Sequence, residues 1–366
     1  MFGIIITVTY SILLIYVFWR AATVPMFARH LSRKISLGSL FVLWLIFVLG
    51  RYFEHGATVK ATLIFEMIGM ILLGSIFIIS TLLLIVDLFT VFGAIFKNLV
   101  PILRSSAIVI GIFLSCVALL QGLRSPVVTS YDVALLGLPD DLNGKILVAL
   151  SDAHIGSILG NEWFSERVLE IAELKPDILA FVGDMFEGHG AILQDVTALR
   201  ELSVPLGKWF VDGNHDTYGR NKVADEIWEK AGFRRLDNQS TELAPGLILA
   251  GVKDLTNLKH QGINENPLDM VLTQRKAGAT ILLSHTPWYA DFAAQAGVQL
   301  MISGHTHDGQ IWPFSYLVKT IYPLLSGRYN IGGMTVIVSR GVGTWGPRMR
   351  LWNRGEILKI TLHPLK

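Results

Sequence analysis

The sequence predicts two domains of different class: an all-α membrane domain over residues 1–123 and an α/β domain over residues 124–366. Of the 366 residues 52% are hydrophobic, and the mean hydropathy of +0.50 is too high for a purely soluble protein. The apolar excess lies in the first third of the chain. In the remainder, short apolar runs alternate with amphipathic patterns of helical period, which is typical of an α/β fold.

The first third contains four apolar segments, at residues 2–19, 35–50, 61–86 and 105–121. About 20 residues in a helix cross a bilayer. Any one segment alone would also suit a buried core helix, but four in succession indicate about four transmembrane helices. We therefore expect an integral protein of the cell or inner membrane, with the lipid bilayer as its partner.

Basic residues in the predicted loops indicate the orientation of the chain. The second loop contains Arg51 and Lys60. The first and third loops together contain Arg20, Arg29, Arg33, Lys34, Lys97 and Arg104. Because Lys and Arg are enriched in cytoplasmic loops, this bias predicts that the α/β domain lies on the non-cytoplasmic side.

The α/β domain is predicted to begin after a linker at residues 122–130. Strands are expected at 146–150 and 178–182, with a helix capped by Asn161 running to residue 174 between them. Further helices are expected at 191–202 and 222–231. Short strands near 247–252, 334–338 and 356–362 suggest a second sheet. These elements predict a four-layer α/β/β/α sandwich.

Polar motifs follow the apolar runs of the predicted strands. A strand that ends in polar residues builds a site at the carboxyl edge of a sheet. Five of the ten histidines lie in these motifs, which are Asp152-Ala153-His154, Gly183-Asp184, Gly213-Asn214-His215-Asp216, Ser284-His285 and Gly304-His305-Thr306-His307.

The donor types in these motifs favour metal binding. Carboxylate, carboxamide and imidazole groups without a thiolate suit a pair of divalent ions such as Mn, Fe or Zn. Each motif alone has a simpler interpretation: Asp152-Ala153-His154 would suit a turn, and the run from Gly213 to Asp216 would suit a type I′ turn. Their order and spacing together favour a dinuclear metal centre.

These motifs resemble those of the calcineurin-like metallophosphoesterase superfamily, over residues 124–366. The run from His305 to Pro313 and the stretch from Gly341 to Leu351 are similar to its membrane-associated bacterial branch. The resemblance implies that Asp184 bridges two metal ions. One ion would also be bound by Asp152, His154 and His307, and the other by Asn214, His285 and His305.

The resemblance further implies catalytic roles for His215 and Glu187. His215 would protonate the leaving group, and Glu187 stands where an aspartate orients this histidine in phosphoprotein phosphatases. Gly188 replaces their phosphate-binding arginine, which argues against a phosphoprotein substrate. A pair of metal ions would supply an activated water and neutralise phosphate charge. The resemblance therefore implies a metal-dependent hydrolase of phosphoesters, and a phosphodiesterase or pyrophosphatase is the preferred interpretation.

Three other functions are alternatives to this one. A phosphomonoesterase is the nearest alternative. A catalytically silent membrane-anchored binding or sensor module is another. The complete set of predicted metal ligands argues against such a module, because a protein without catalysis would be free to lose them. A transporter with an accessory domain would require polar pairs inside the membrane segments, and none is evident. Residues 124–366 contain 26 acidic and 23 basic residues, so no nucleic-acid partner is expected. No protein partner can be inferred.

An apolar and aromatic stretch follows the last metal motif and includes Ile311, Trp312, Phe314, Tyr316, Leu317, Val318, Ile321, Tyr322, Leu324 and Leu325. Ordinary core packing would explain it. The alternative is a wall that faces acyl chains, with a phosphorylated lipid or lipid-linked envelope precursor as substrate. Arg340 and Arg350 would suit a substrate phosphate, a carboxylate partner or a solvated surface, and His189 and Asp308 receive no role.

Overall fold

The computed structural model describes residues 2–30, 32–53, 60–156, 158–187, 196–217, 222–263 and 266–365. The chain divides into two compact units. The first comprises Met1–Arg124 together with two short segments, Gln310–Phe314 and Gly346–Asn353. The second comprises Ser125–Gly309, Ser315–Trp345 and Arg354–Lys366.

The first unit is built from five helices: α1 (Phe2–Ala22), α2 (Pro25–His30), α3 (Arg33–Phe53), α4 (Lys60–Phe89) and α5 (Val100–Leu123). Among the described residues, four stretches are long and apolar enough to cross a membrane, namely Gly3–Ala22, Arg33–Tyr52, Leu63–Phe89 and Val100–Leu123. They coincide with the four predicted segments, and the prediction of a membrane protein is confirmed. Each helix is longer than its apolar segment because it continues into flanking residues.

A buried ionic cluster joins three of these helices near the end of α4. The carboxylate of Asp87 lies 2.6 Å from Nε of Arg20 and 2.8 Å from an Nη atom of Arg104, and all three side chains are buried. The Tyr16 hydroxyl donates to the same carboxylate over 2.6 Å. The expectation that the membrane segments lack polar pairs is therefore wrong. Tyr16 and Arg104 lie 71 and 17 positions from Asp87 in the sequence. Only the packing of the helices therefore shows that they are its partners.

The two short segments of the first unit pack against α4 and α5. Ile311, Met349 and Leu351 form a buried cluster with Ile78 and Ala118. The backbone N–H of Arg350 donates to the carbonyl of Ala118 over 2.9 Å. Two short segments from the C-terminal part of the chain thus pack on the membrane helices. The predicted division at residue 124 did not assign these segments to the first unit.

The second unit contains twelve strands in two sheets among its described residues. The first sheet has the order β1-β12-β2-β3-β4-β5 and the second β10-β11-β9-β8-β7-β6. The strands are β1 (Val127–Leu136), β2 (Ile146–Leu150), β3 (Ile178–Val182), β4 (Lys208–Val211), β5 (Phe233–Arg235), β6 (Gln239–Ala244), β7 (Leu247–Gly251), β8 (Ala279–Leu283), β9 (Leu300–Ser303), β10 (Gly327–Ile331), β11 (Met334–Val338) and β12 (Glu356–Leu365).

The helices of the second unit are short. They are α6 (Asn161–Glu173), α7 (Thr197–Glu201), α8 (Asn214–Thr217), α9 (Lys222–Lys230), α10 (Leu255–His260), α11 (Pro267–Thr273), α12 (Ala290–Gln295) and α13 (Phe314–Ile321, whose first residue belongs to the first unit).

Four details differ from the prediction. The strand expected near 356–362 belongs to the first sheet, where β12 pairs parallel with β1 and antiparallel with β2. The linker is short, since α5 ends at Leu123 and β1 begins at Val127. Gly160 rather than Asn161 is the N-cap of α6. Of the helix expected at 191–202, the structure has only α7, and residues 191–195 lie outside the described residues.

Three apolar layers confirm the four-layer sandwich. A core with Leu147, Val182 and Leu249 fills the space between the sheets. On the outer face of the first sheet, Phe181 and Phe210 pack against Trp228 of α9. A third cluster covers the second sheet with residues of α10, α11 and α12. This arrangement brings the carboxyl ends of β2, β3 and β4 in one sheet to the same edge as those of β8 and β9 in the other.

Candidate metal centre

All seven predicted metal ligands follow a strand that ends at this edge. Five of them adopt left-handed backbone conformations, with φ angles between 45° and 73°: Asp152, His154, Asp184, His305 and His307. Such a conformation costs of order 1–3 kcal/mol for a residue with a side chain and persists where the surrounding structure imposes it. The turns directly after β2, β3 and β9 therefore hold strained backbone conformations that direct the predicted ligand side chains to this edge of the sheets.

Glycines allow these turns to approach each other closely. A Cβ atom on Gly213 would lie 2.1 Å from Oδ1 of Asp184, and one on Gly304 would lie 2.4 Å from Oδ2 of Asp152. Gly183 has a φ of +81°, and a Cβ there would lie 2.3 Å from the ring of His285. The glycines that precede the polar residues in three motifs are therefore required by the space between the loops.

One group of donors gathers Asp152, His154 and His307, all buried, with one ligand atom of each within 4.8 Å of the others. Nε2 of His307 lies 3.4 Å from Oδ1 of Asp152 and 3.0 Å from Nε2 of His154. Two imidazole nitrogens and a carboxylate oxygen that converge in this way form a suitable cation site.

A second group gathers Asp184, His285 and His305 within the same limit. Nε2 of His285 lies 3.2 Å from Oδ2 of Asp184. Nδ1 of His285 lies 2.8 Å from the carbonyl of Val182, which acts as the acceptor and leaves Nε2 free to bind a metal. Oδ2 of Asp184 also lies 3.9 Å from Nε2 of His154 in the first group. Asp184 stands between the two groups, which is the position that the bridging prediction requires.

The side chain of Asn214 supports the second group. Among the described residues no hydrogen-bond donor reaches its Oδ1 atom, although this atom is buried. A buried carbonyl oxygen without a partner costs about 1–3 kcal/mol, and a bound cation would satisfy it. The donor set therefore fits two divalent ions, with Asp152, His154, Asp184 and His307 around one and Asp184, Asn214, His285 and His305 around the other.

The charges of the site favour cations. Burial alone would raise the pKa of Asp184, but the neighbouring His285 and His215 outweigh it and hold the pKa well below its ordinary value. Asp184 is therefore an anion at neutral pH and able to bind metal. Burial and the charge on His285 together lower the pKa of His305 to about 4. His305 is therefore a neutral imidazole with a lone pair that can bind a metal.

His215 and Glu187 lie beside the first group. Oε2 of Glu187 is 3.0 Å from Nδ1 of His215 and 2.5 Å from Nδ1 of His154. The longer arm of a glutamate thus reaches the histidine that an aspartate contacts in phosphoprotein phosphatases, and it reaches His154 as well. Burial opposes ionisation of Glu187, but hydrogen bonds from the two histidines lower its pKa to about 2. His215, Asp184 and His154 also form a group close enough to share an ion.

Asp216 organises this edge, a role that sequence reasoning did not assign. Its buried carboxylate accepts backbone N–H groups of Asp184, Met185 and Phe186, and that of Gly213 over 2.8 Å. These bonds fasten the loop after β3 to the loop after β4. The only signal for this residue in the sequence is its place as the fourth residue of the Gly-Asn-His-Asp motif.

The remaining residues of interest have other partners. An Nη atom of Arg340 lies 2.6 Å from Oε2 of Glu356, so the carboxylate alternative is confirmed for this arginine. Oδ1 of Asp308 accepts the Ser326 hydroxyl over 2.8 Å. Arg350 is buried in the first unit. His189 lies outside the described residues.

Comparison with known proteins identifies the family. The sequence pattern of the calcineurin-like phosphoesterases matches residues 146–309. An uncharacterized metallophosphoesterase of Campylobacter jejuni is 32% identical over 265 residues, which cover 71% of this chain and 70% of that protein. A Bos taurus protein named transmembrane protein with metallophosphoesterase domain is 33% identical over 273 residues, covering 70% and 61% of the two chains.

Among solved structures, a dimetal phosphatase from Danio rerio is 14% identical with a TM-score of 0.36 and covers 60% of this chain and 99% of its own. The matched region spans 61% of the Bos taurus relative, so that protein extends well beyond the part that is shared. The identity to the Campylobacter relative and the motifs at the sheet edge agree, and we conclude that the chain belongs to the calcineurin-like phosphoesterase family of metal-dependent phosphoester hydrolases.

Proposed function

We propose that the chain hydrolyses a phosphodiester or pyrophosphate bond in a lipid-linked substrate, with its catalytic unit on the non-cytoplasmic side of the membrane. The observation that supports the lipid is an exposed apolar helix beside the metal centre. None of the eight residues of α13, all of which are described, is buried. Tyr316, Leu317 and Ile321 are 69%, 61% and 61% exposed.

The position of α13 in the chain connects it to the site. The helix begins seven residues after His307, and the residue directly after it, Tyr322, has its hydroxyl 2.8 Å from Nε2 of His305. Its first residue, Phe314, packs edge-to-face against Phe77 of α4, with ring centroids 6.1 Å apart. An exposed apolar helix face suits acyl chains.

Part of the apolar stretch is ordinary core. Ile311 is buried in the first unit, and Leu324 packs against the cluster over the second sheet. The exposed residues are confined to α13, so the proposal concerns this helix and not the whole stretch.

Within the site, His215 is the proposed proton donor to the leaving oxygen. Glu187 accepts its Nδ1 hydrogen and so directs Nε2 toward the substrate. The Trp345 ring lies 6.1 Å from the His215 ring and bounds this side. A positioned general acid typically contributes 10²–10⁴-fold to the rate.

The preference for a diester or pyrophosphate rests on residue 188. Phosphoprotein phosphatases have an arginine there, whose guanidinium grips a dianionic phosphate with two hydrogen bonds. This chain has Gly188, which lies outside the described residues. A phosphate that is already esterified on two sides has less charge to neutralise, and a site without this arginine suits it better.

The lipid proposal is tested by the Leu317→Ser variant of the full chain in mixed micelles. We expect kcat/KM on a phospholipid-type diester to fall about tenfold or more, since burying a leucine side chain is worth about 1.5–3 kcal/mol. Activity on the water-soluble headgroup analogue should not change. Leu169→Ser is the matched control, because Leu169 is 65% exposed but lies on α6.

Equal losses in the Leu317 and Leu169 variants, or equal kcat/KM of the unaltered protein for the lipid and its headgroup, would refute the lipid-linked substrate. Bis(p-nitrophenyl) phosphate and p-nitrophenyl phosphate then separate the bond types. Faster turnover of the monoester would favour a phosphomonoesterase, and turnover of neither compound by metal-loaded protein would favour a silent binding module.

A further inference from the structure

The hydroxyl of Tyr322 contacts His305, a predicted metal ligand, at the ring nitrogen that does not face His285. Its oxygen lies 2.8 Å from Nε2 of His305, and the two rings meet at 70° with centroids 4.8 Å apart. The other ring nitrogen of His305, Nδ1, lies 3.3 Å from Nε2 of His285, inside the group formed with Asp184. The two nitrogens of His305 therefore face different partners.

This arrangement determines which nitrogen can bind metal. A neutral imidazole has one protonated nitrogen and one with a lone pair, and the hydrogen bond made by the first sets the tautomer. If Nε2 donates its hydrogen to the Tyr322 oxygen, Nδ1 presents its lone pair to Asp184 and His285. We propose that Tyr322 is a positioning residue that holds His305 in the tautomer and orientation in which Nδ1 binds the second metal ion.

Tyr322 is itself held in place by its neighbours. Its ring stacks on Trp288, with centroids 5.4 Å apart and an angle of 14° between the planes. The Trp288 ring in turn lies under the ammonium group of Lys259, at 5.0 Å. A phenol that is stacked on one face in this way loses little entropy when it binds His305, so the contact is preorganised.

The segment after Tyr322 is tied to the same loop as the ligand. The Thr306 hydroxyl donates to the carbonyl of Leu325, and the Ser326 hydroxyl donates to Asp308. Thr306 and Asp308 lie directly after His305 and His307. The second bond gives Asp308, for which the sequence offered no role, a structural contact. Both bonds fix the segment that contains Tyr322 to the loop that contains His305.

This inference rests on the two-metal site of the proposed function, but its test needs no substrate. Tyr322→Phe keeps the ring and its stacking on Trp288 and removes only the oxygen. Metal-free full-length protein in detergent is titrated with Mn²⁺ against a chelator. We expect one of the two binding steps to lose about 10–100-fold in affinity, as for other partners of metal-bound histidines, while the other step changes less than about twofold.

Tyr289→Phe is the matched control, because Tyr289 is an exposed tyrosine with no part in the proposed site, and the variant should bind both ions normally. Saturating Mn²⁺ should restore two bound ions to the Tyr322→Phe protein. Unchanged affinities in Tyr322→Phe would overturn the proposal. An equal loss at both steps with a lower Tm of the metal-free protein would show a purely structural role and would overturn it as well. Neither result would affect the identity of the substrate.

Discussion

Oε2 of Glu187 lies 3.0 Å from Nδ1 of His215. The same oxygen lies 2.5 Å from Nδ1 of His154, which the sequence predicts to be a ligand of the first metal ion. One carboxylate oxygen therefore accepts from two imidazoles. It connects the proposed proton donor to the metal site, and a change at this residue should affect both.

The first prediction weakens both of these contacts at once. Glu187→Gln keeps the length of the side chain but offers one neutral oxygen in place of a carboxylate. We expect kcat to fall about 10–100-fold and the affinity for the first metal ion to fall by a similar factor. The measurements are steady-state kinetics at saturating metal and Mn²⁺ titration of the metal-free protein.

Glu187→Asp is the informative comparison. Its shorter arm should retain at most one of the two contacts, so we expect either turnover or metal affinity to recover, but not both. Full activity and full affinity in the Glu187→Gln protein would show that the shared contact has no role in function.

The second prediction concerns the ligand between the two groups and the proposed acid. Asp184→Asn removes the negative charge of the side chain that faces both His154 and His285. We expect this protein to bind fewer than one equivalent of metal and to be inactive. His215→Ala should retain two equivalents but lose about 10²–10⁴-fold in kcat, because it removes only a proton donor.

Metal content by elemental analysis and turnover of a substrate with a poor leaving group are measured for both proteins. Loss of both metals from the His215→Ala protein would assign this histidine to the metal site instead. That possibility has a structural basis, since His215 lies in a group with His154 and Asp184.

The third prediction concerns orientation in the membrane. Arg20 and Arg104 are buried against Asp87, which leaves Arg29, Arg33, Lys34 and Lys97 in the first and third loops against Arg51 and Lys60 in the second. The excess of basic residues in the first and third loops is smaller than in the full count, but it still predicts that the catalytic unit lies outside the cytoplasm. A reporter that is active only outside the cytoplasm should work when fused after Lys366.

Fusion of the same reporter after Asn98, between α4 and α5, is the control and should be silent. A reporter active only in the cytoplasm should give the opposite pattern at both positions. Cytoplasmic activity after Lys366 would place the catalytic unit inside the cell.

Local chemistry in the sequence was sufficient for the membrane helices and for most strands of the site. The apolar segments are long enough to be helices by themselves, and β2 and β3 have the predicted bounds because apolar runs between polar or turn-forming residues leave few alternatives. The ligand residues were recognisable because glycines and polar side chains follow these runs in a fixed order.

Contacts between residues far apart in the chain required the tertiary structure. The placement of β12 beside β2 depends on a pairing across about 200 residues, which has no local signal. The ionic cluster around Asp87 and the contact of Tyr322 with His305 are likewise set by how helices and loops pack. The length of the Glu187 side chain was visible in the sequence, but only the fold decided that its carboxylate lies between two histidines. Hydrogen bonds of this kind depend on tenths of an ångström in the separation of loops, and no pattern in the sequence specifies that separation.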